Sequence, residues 1–576
     1  MKRLLAFILI VFILSGSGVS FANASWDAFV QEHEKDISGA HLSIFTSDEI
    51  LYDRLLGYEN KEEQVKVNDQ SVFDWGSVSK LLTWISVMQL AEKGEISLED
   101  DIRTYLPDGF LTNLRFDEPI TFLDLMHHSA GFQEMLIDLF VPMDSKIPTL
   151  GDALQSHPPA QVFPPGTVTA YSNWSTSLAG YLVEVISGEN FADYVIKHIF
   201  EPLEMKETAI RPDLSDQPDV LNRRRHLRSY SENGSHVEDT FFAIPLYPAG
   251  MAVGTLADFR LFDQALLEPD APRLFESPQT ARAFFETSLF FEDGTPRNSH
   301  GLWQYPFEKN VIGHGGNTAS CSSHLLLDRQ NGIGFVIMSN QQKEELFNYE
   351  FPKLIFGSFE NSTYYSGTRT IPSSLLTSAR AVFRGPFSFT SLMIQKMDES
   401  DRESFWSETQ SGSIPRVQML YTDYLKLSGV SLWARILGIF FLLGGALYGA
   451  LTLLGGGLIL RPLRNFRFKK RQMHTIERPW RKWNYLSSLT LVLFFVNLLI
   501  LLIQLMLFQP KAHYYWQLIL IAIFLVCMLA LIIRFFFLKK VSESRWERIK
   551  VIVTWVFLVG VFLIGVYFQL YSFWTL

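Results

Sequence analysis

The order of apolar and polar positions divides the chain into three kinds of stretch. Short runs rich in β-branched and aromatic residues, set off by polar turns, occur near both ends of the first 340 residues. Gly39–Phe45 is followed by the turn Thr46-Ser47-Asp48-Glu49 and a second run, Ile50–Tyr58. Later, Ser322–Asp328 and Ile333–Ser339 flank Arg329-Gln330-Asn331-Gly332. Each pair predicts two antiparallel strands. Between them the pattern is helical. A mostly apolar run, Leu81–Leu90, ends near Gly94, a C-cap residue, and predicts a buried helix. Ile120–Met126 is a shorter helical piece. Ser175–Ser187 is apolar on one face and stops at Gly188, and Thr255-Leu256-Ala257-Asp258 has the look of an N-cap. From about residue 432 the pattern changes again. Four apolar runs are long enough to cross a bilayer: about Leu432–Leu460, Tyr485–Phe508, Tyr514–Ile533 and Val551–Leu570. At the start, Lys2 and Arg3 precede the apolar stretch Leu4–Leu14, and Ala22-Asn23-Ala24 has the form of a cleavage site. Residues 1–24 therefore read as a secretory signal, the alternative being an N-terminal anchor, for which the run is short.

Charge separates the same regions. Residues 431–576 carry a net charge of +14 and, since the whole chain is −10, the part before them is −24. An acidic front argues against nucleic acid as a partner. The positive charge at the back sits between the apolar runs. The connection Arg461–Lys482 holds nine Lys and Arg and one acid, and Arg534–Lys550 is also basic. The turn Gln509-Pro510-Lys511 carries a single charge. An excess of Lys and Arg marks cytoplasmic loops. The front of the chain and its C-terminus are then both outside, in agreement with a signal sequence. Gly445 and Gly449 form a small-xxx-small pair suited to helix packing. The two cysteines, Cys321 and Cys527, allow neither a disulfide framework nor a C-x-x-C metal site.

Candidate chemistry centres on Ser77-Val78-Ser79-Lys80, after Phe73-Asp74-Trp75-Gly76. Residues three apart face the same way on a helix but not on a strand. Gly76 permits a tight turn into the helix. Ser77 would then sit at the positive helix N-terminus, where free backbone N–H groups face a developing anion. Lys80, one turn on, can reach the serine oxygen, and a lysine among apolar or cationic neighbours has a lowered pKa. Alone, S-x-x-K also fits an exposed Ser and Lys on an ordinary helix. Three other runs stand out. His127-His128 suggests metal at first sight, but no further ligand has metal-type spacing, which favours a packing role and no metal. Tyr171-Ser172-Asn173 follows the Phe163-Pro164-Pro165-Gly166 loop and is compatible with a surface turn. Gly313-His314-Gly315-Gly316-Asn317 ends a strand and is compatible with a glycine turn.

Their order and spacing point further. S-x-x-K, then Y-x-N about a hundred residues on, then H-x-G near the end of the domain, resembles the serine β-lactamase and penicillin-binding-protein superfamily, in its class C-like branch. The likeness covers roughly Ser25–Phe359 and includes His128-Ser129-Ala130-Gly131, Pro165-Gly166 and Pro248-Ala249-Gly250. It implies an α/β (α+β) fold, an antiparallel sheet with helices on both faces and an inserted all-helical lobe. It also implies a site with no cofactor, in which Ser77 forms an acyl-enzyme while Lys80 and Tyr171 share the proton. Asn173 would hold the substrate amide, and the backbone N–H groups of Ser77 and Asn317 would form the oxyanion hole. One departure matters. Where dedicated β-lactamases carry K-T-G, this chain has His314-Gly315-Gly316, and a mostly neutral histidine with a hydroxyl-free glycine holds a substrate carboxylate less well. H-x-G is familiar in esterases and D-aminopeptidase-like members.

The resulting expectation is a signal peptide over residues 1–24, a β-lactamase-like serine hydrolase domain over 25–365, an extracytoplasmic linker or small β region over 366–430, and an all-α bundle of four transmembrane helices over 431–576. The chain is expected in the cell membrane as a multi-pass protein with its catalytic domain outside. Its expected substrates are small peptides or esters, peptidoglycan-derived ones included. The alternatives are a penicillin-binding protein or weak β-lactamase, and, from another class, an acylation-dependent sensor. The short cytoplasmic connections count against the sensor.

Overall fold

The computed structural model describes residues 24–358 apart from 113, 135–137 and 293, then 376–380, 407–409, 416–418, 420–454, 477–506, 519–527, 529–530 and 545–568. The chain forms two compact units. The first takes Met1–Glu134, Leu139–Arg369 and Asp398–Tyr424, and the second Met135–Asp138, Thr370–Met397 and Leu425–Leu576.

The first unit is built on a nine-stranded antiparallel sheet, in the order Leu289–Phe290, Pro296–Ser299, Leu302–Pro306, Asn310–Asn317, Ser322–Asp328, Ile333–Ser339, Gly39–Phe45, Ile50–Asn60 and Val65–Lys66. Both hairpins expected from the alternation are present. The join between them closes the sheet: Gly39–Phe45 lies antiparallel to Ile333–Ser339, with Ala40 opposite Ser339 and Phe45 opposite Gly334. Gly39–Phe45 and Ser322–Asp328 are buried along their whole length, because helices cover both faces. On one face Trp26, Leu42, Ile44, Tyr52, Phe335, Ile337, Phe347 and Phe351 form a single apolar cluster. On the other, helix Leu256–Leu267 brings Phe259 and Phe262 against Trp75, at 4.5 and 5.5 Å between ring centroids. Thr255 caps that helix, accepting from the Asp258 N–H.

The helical lobe is inserted between the third strand in chain order, Val65–Lys66, and the last six. Its axis is helix Lys80–Glu92, every residue of which from Lys80 to Leu90 is buried. Such a helix needs no polar face, in keeping with its continuous apolar run. It packs against helix Asn173–Ser187, whose N-cap Ser172 accepts from the Ser175 N–H.

Among its described residues the second unit contains three helices long and apolar enough to cross a membrane: Gly429–Leu453, Lys482–Leu501 within Glu477–Met506, and Ile549–Tyr567 within Arg545–Tyr567. They answer to the first, second and fourth expected runs. The third, about Tyr514–Ile533, is described only over 519–527 and 529–530, which are helical, and the signal region 1–23 lies outside the described residues. Gly445 and Gly449 face the helix interface as their spacing predicts. A Cβ at Gly449 would stand 2.6 Å from the Ser488 carbonyl oxygen.

Candidate active site

Ser77 lies on the 3-10 turn Gly76–Ser79, which runs directly into the α-helix at Lys80. The sequence placed it in the first α-helical turn; the tighter turn instead sets it one step ahead. Gly76 has φ +51°, a left-handed value that a side chain tolerates poorly. The turn is held from two sides. Ser79 Oγ accepts from the Ala252 N–H at 3.1 Å, and Ser323 Oγ donates to the Trp75 carbonyl at 2.7 Å.

The Lys80 ammonium is fully buried and uses all three of its donors. Nζ lies 3.1 Å from Ser77 Oγ, 2.7 Å from Asn173 Oδ1 and 2.6 Å from the Ala249 carbonyl. That carbonyl belongs to the Pro248-Ala249-Gly250 run, and Thr83 Oγ1 donates to the neighbouring Pro248 carbonyl at 3.0 Å. Lys80 Nζ also stands 4.9 Å from the centroid of the Tyr171 ring. His128 stacks on that ring at 4.4 Å and accepts the Ser172 N–H through Nδ1 at 3.1 Å. His127 faces Ser288 Oγ at 2.8 Å. The adjacent histidines therefore serve packing and orientation, and no group of three metal-type ligands occurs among the described residues.

The strand Asn310–Asn317 brings its glycines against the nucleophile turn. A Cβ on Gly316 would lie 2.1 Å from the Trp75 carbonyl oxygen and 2.3 Å from Ser323 Oγ, and one on Gly76 would lie 2.8 Å from Asn317 N. Gly316 thus permits a close approach and leaves the Asn317 amide beside the turn that carries Ser77. Gly316→Ala is expected to cost about 1–3 kcal/mol of stability, the usual penalty for overpacking. It should also slow any reaction that needs this amide in place. An unchanged melting temperature and rate in this variant would show that the approach is not tight.

His314 is buried, and burial, reinforced by the Lys80 charge, brings its pKa down to about 3. Its Nδ1 lies 2.7 Å from the Gly315 carbonyl, which can only accept, so Nδ1 carries the proton. Nε2 is left as a buried acceptor without a partner among the described groups. His314 is therefore a neutral acceptor and offers no cation to a substrate carboxylate.

Burial likewise lowers His127 to about 3 and His324 to about 4. Unfolded histidines bind protons near pH 6.5, so stability present above that pH is lost as pH falls toward these folded values, by about 1.4 kcal/mol per unit per group. Glu344, raised by burial to about 7, works in the opposite direction between its unfolded value and pH 7. His300, also lowered by burial, makes four histidines, set against Glu344 and the other carboxylates that burial raises, Asp263 among them. The melting temperature of the catalytic unit should drop between pH 7.5 and 5.5, and less steeply in His324→Asn. A flat or rising trend would sink this expectation.

All seven sequence-predicted residues converge on this turn. Ser77, Tyr171 and Asn173 surround the Lys80 ammonium, His314 lies 6.2 Å from the Tyr171 ring, and Gly316 and Asn317 lie against the turn itself. Two features were not singled out in the sequence. Glu134, 1% exposed, accepts from Asn173 Nδ2 at 3.2 Å and from the Asn173 N–H at 3.3 Å, and so fixes the amide that meets Lys80. Asp74 and Arg224 form a buried ion pair at 2.5 Å, to which Thr318 and Ser320 add hydroxyl hydrogen bonds. This pair ties the strand before the nucleophile to the loop after Asn317. Neither carboxylate has a spacing that would mark it in advance.

The chain is 21% identical over 330 residues to Protein flp of Staphylococcus aureus (strain MW2), covering 55% of this chain and 62% of that one. The chain thus spans about three-fifths of the length of such relatives. Penicillin-binding protein 4 of Amycolatopsis lactamdurans is 25% identical over 340 residues, 56% of this chain and 86% of its own. The crystal structure of SurE superposes with a TM-score of 0.50 at 18% identity, over 70% of this chain and 92% of that one, a likeness of fold. The family model for Beta-lactamase matches residues 26–354, more than half of the chain. The protein belongs to the beta-lactamase family.

Proposed function

We propose that the protein is a membrane-anchored, extracytoplasmic hydrolase that acts on peptide or ester substrates of the cell envelope, D-amino acid linkages included, through an acyl-enzyme on Ser77. The observation that carries the reading is the buried Lys80 ammonium 3.1 Å from Ser77 Oγ, within reach of the Tyr171 ring. In this reading Ser77 Oγ attacks the scissile carbonyl and Tyr171, its phenolate favoured by the Lys80 charge, takes the hydroxyl proton. The proton then passes to the leaving group. The oxyanion meets the backbone N–H groups of Ser77 and Asn317 at the start of the helix. Asn173 orients Lys80 and offers its amide to the substrate. Water releases the acyl group by the same path in reverse.

The neutral His314 supports substrates without a carboxylate at that position, and so esters and peptides over β-lactams. The relative named penicillin-binding protein supports a second reading, in which a penicillin acylates Ser77 and leaves slowly. The three apolar helices and the basic connections support a multi-pass location with residues 25–365 outside and four spans in all.

The test uses the full-length chain in detergent, with Ser77→Ala as blank. It is offered a p-nitrophenyl ester, D-alanyl p-nitroanilide and a fluorescent penicillin. Ser77-dependent turnover of ester or anilide with little stable penicillin label is the expected result. A long-lived penicillin adduct without turnover of either compound would establish the second reading instead.

A further inference from the structure

We propose that the strand leading into the first membrane helix is a positioning element of the active site, with Tyr421 holding Tyr171 in place. This rests on the reading of Ser77, Lys80 and Tyr171 as the catalytic groups.

Residues 420–424 lie outside the part of the chain that matches the family, which ends at 354. They nevertheless pack within the catalytic unit. Thr422 bridges to Ala170 in antiparallel fashion, the Asp423 N–H donates to the Thr169 carbonyl at 2.8 Å, and the Thr169 N–H donates to Asp423 Oδ2 at 3.1 Å. The strand is thus hydrogen-bonded to the two residues that precede Tyr171. It is anchored at a second point. Arg297 pairs with Asp423 at 3.0 Å, both side chains 1% exposed, and donates through Nε to the Leu420 carbonyl at 3.2 Å. Leaving either charge of such a buried pair without its partner is costly, so the strand is not a loosely adhering tail.

Tyr421 is placed by these two anchors. Its ring meets the Tyr171 ring edge-on at 5.9 Å and 85°, lies 5.0 Å from Trp303 and 6.3 Å from His314, and its hydroxyl is hydrogen-bonded to the Tyr305 hydroxyl. With His128 stacked on the face of Tyr171 and Tyr421 at its edge, the phenol is clamped between the family fold and a segment supplied from outside it. A proton carrier must stay within hydrogen-bond reach of its partner, and a misplacement of about 1 Å can cost about 100-fold. The chain enters the helix Gly429–Leu453 directly after this strand. The segment that completes the site is therefore also the one that leads into the membrane.

The experiment measures ester hydrolysis by the full-length chain in detergent as a function of pH, for wild type, Tyr421→Leu, Tyr421→Ala, Tyr421→Phe, Tyr171→Phe and Ser77→Ala. Tyr421→Leu and Tyr421→Ala are expected to lower kcat about 10- to 100-fold with KM changed less than about threefold. They should also shift the pH limb of kcat that disappears in Tyr171→Phe. Tyr421→Phe keeps the ring and should restore both kcat and the limb. The leucine variant fills most of the space and guards against a chain that fails to fold. If both Tyr421→Leu and Tyr421→Phe keep the wild-type kcat and pH profile while Ser77→Ala is inactive, the positioning role is overturned and the catalytic reading stands. A loss in Tyr421→Leu that leaves the pH limb unmoved overturns it too, since a purely structural defect does this. Full activity in Ser77→Ala removes the catalytic reading itself.

Discussion

The Ser77→Ala chain is expected to lose covalent labelling by ester and penicillin probes completely, and turnover by about 10⁴- to 10⁶-fold, as when a nucleophile is removed from a working catalytic unit. The residual rate would come from binding and the backbone N–H groups alone. The fold should survive. Ser77 is part-exposed, and the substitution removes the 3.1 Å hydrogen bond from Lys80, whose other two partners, Asn173 and Ala249, remain. A change in stability within about 1 kcal/mol follows. Intact-mass analysis after probe treatment, set beside a melting curve, separates the two effects. Wild-type turnover in the alanine variant would exclude Ser77 as nucleophile.

Lys80→Met should be nearly as damaging to rate and far more damaging to structure. The side chain is fully buried, so its replacement removes the cation beside the Tyr171 ring and leaves the Ala249 carbonyl and Asn173 Oδ1 facing an apolar group. A rate loss of at least about 10³-fold is expected, with about 1–3 kcal/mol of stability lost for each acceptor left unpaired. The losses should not add. If Lys80 and Tyr171 move one proton between them, Lys80→Met combined with Tyr171→Phe will be hardly slower than the worse single variant. A product of the two separate losses would show that they act independently, and the shared-proton mechanism would fall.

How much of this was legible in the sequence depended on how local the cause was. The hairpins at Gly39–Asn60 and Ser322–Ser339 follow from alternation and turn residues close together in the chain. The burial of Lys80–Leu90 follows from an unbroken apolar run. The candidate site residues were legible because short motifs keep them together: Ser77 and Lys80 stand three apart across the turn into a helix, and Tyr171 and Asn173 flank the helix cap Ser172. The rest depends on contacts between distant residues. Nothing near Glu134 marks it as the partner of Asn173, and Asp74 meets Arg224 across 150 positions. The polar, irregular stretch after residue 366 gave no sign that Tyr421 returns to the site, because one bridging pair and one buried ion pair leave no periodic trace. His314 shows the reverse. Its departure from K-T-G was legible at once, and its buried surroundings show why it stays neutral.

The pairing of Ala40 with Ser339 also governs how the molecule is made. These two neighbouring strands of the sheet come from opposite ends of the family domain, so during synthesis the first strand has no lasting neighbour on that side until residue 339 has emerged. Pairing over such a distance is slow, since the loop must close before the pairing rewards it. Until then Gly39–Phe45, buried along its whole length in the finished fold, is an apolar edge that invites aggregation. The early part of the chain therefore needs shelter for as long as the rest of the catalytic unit takes to arrive. A nascent chain cut short before Ile333 should be cleared by proteases as an unfinished sheet.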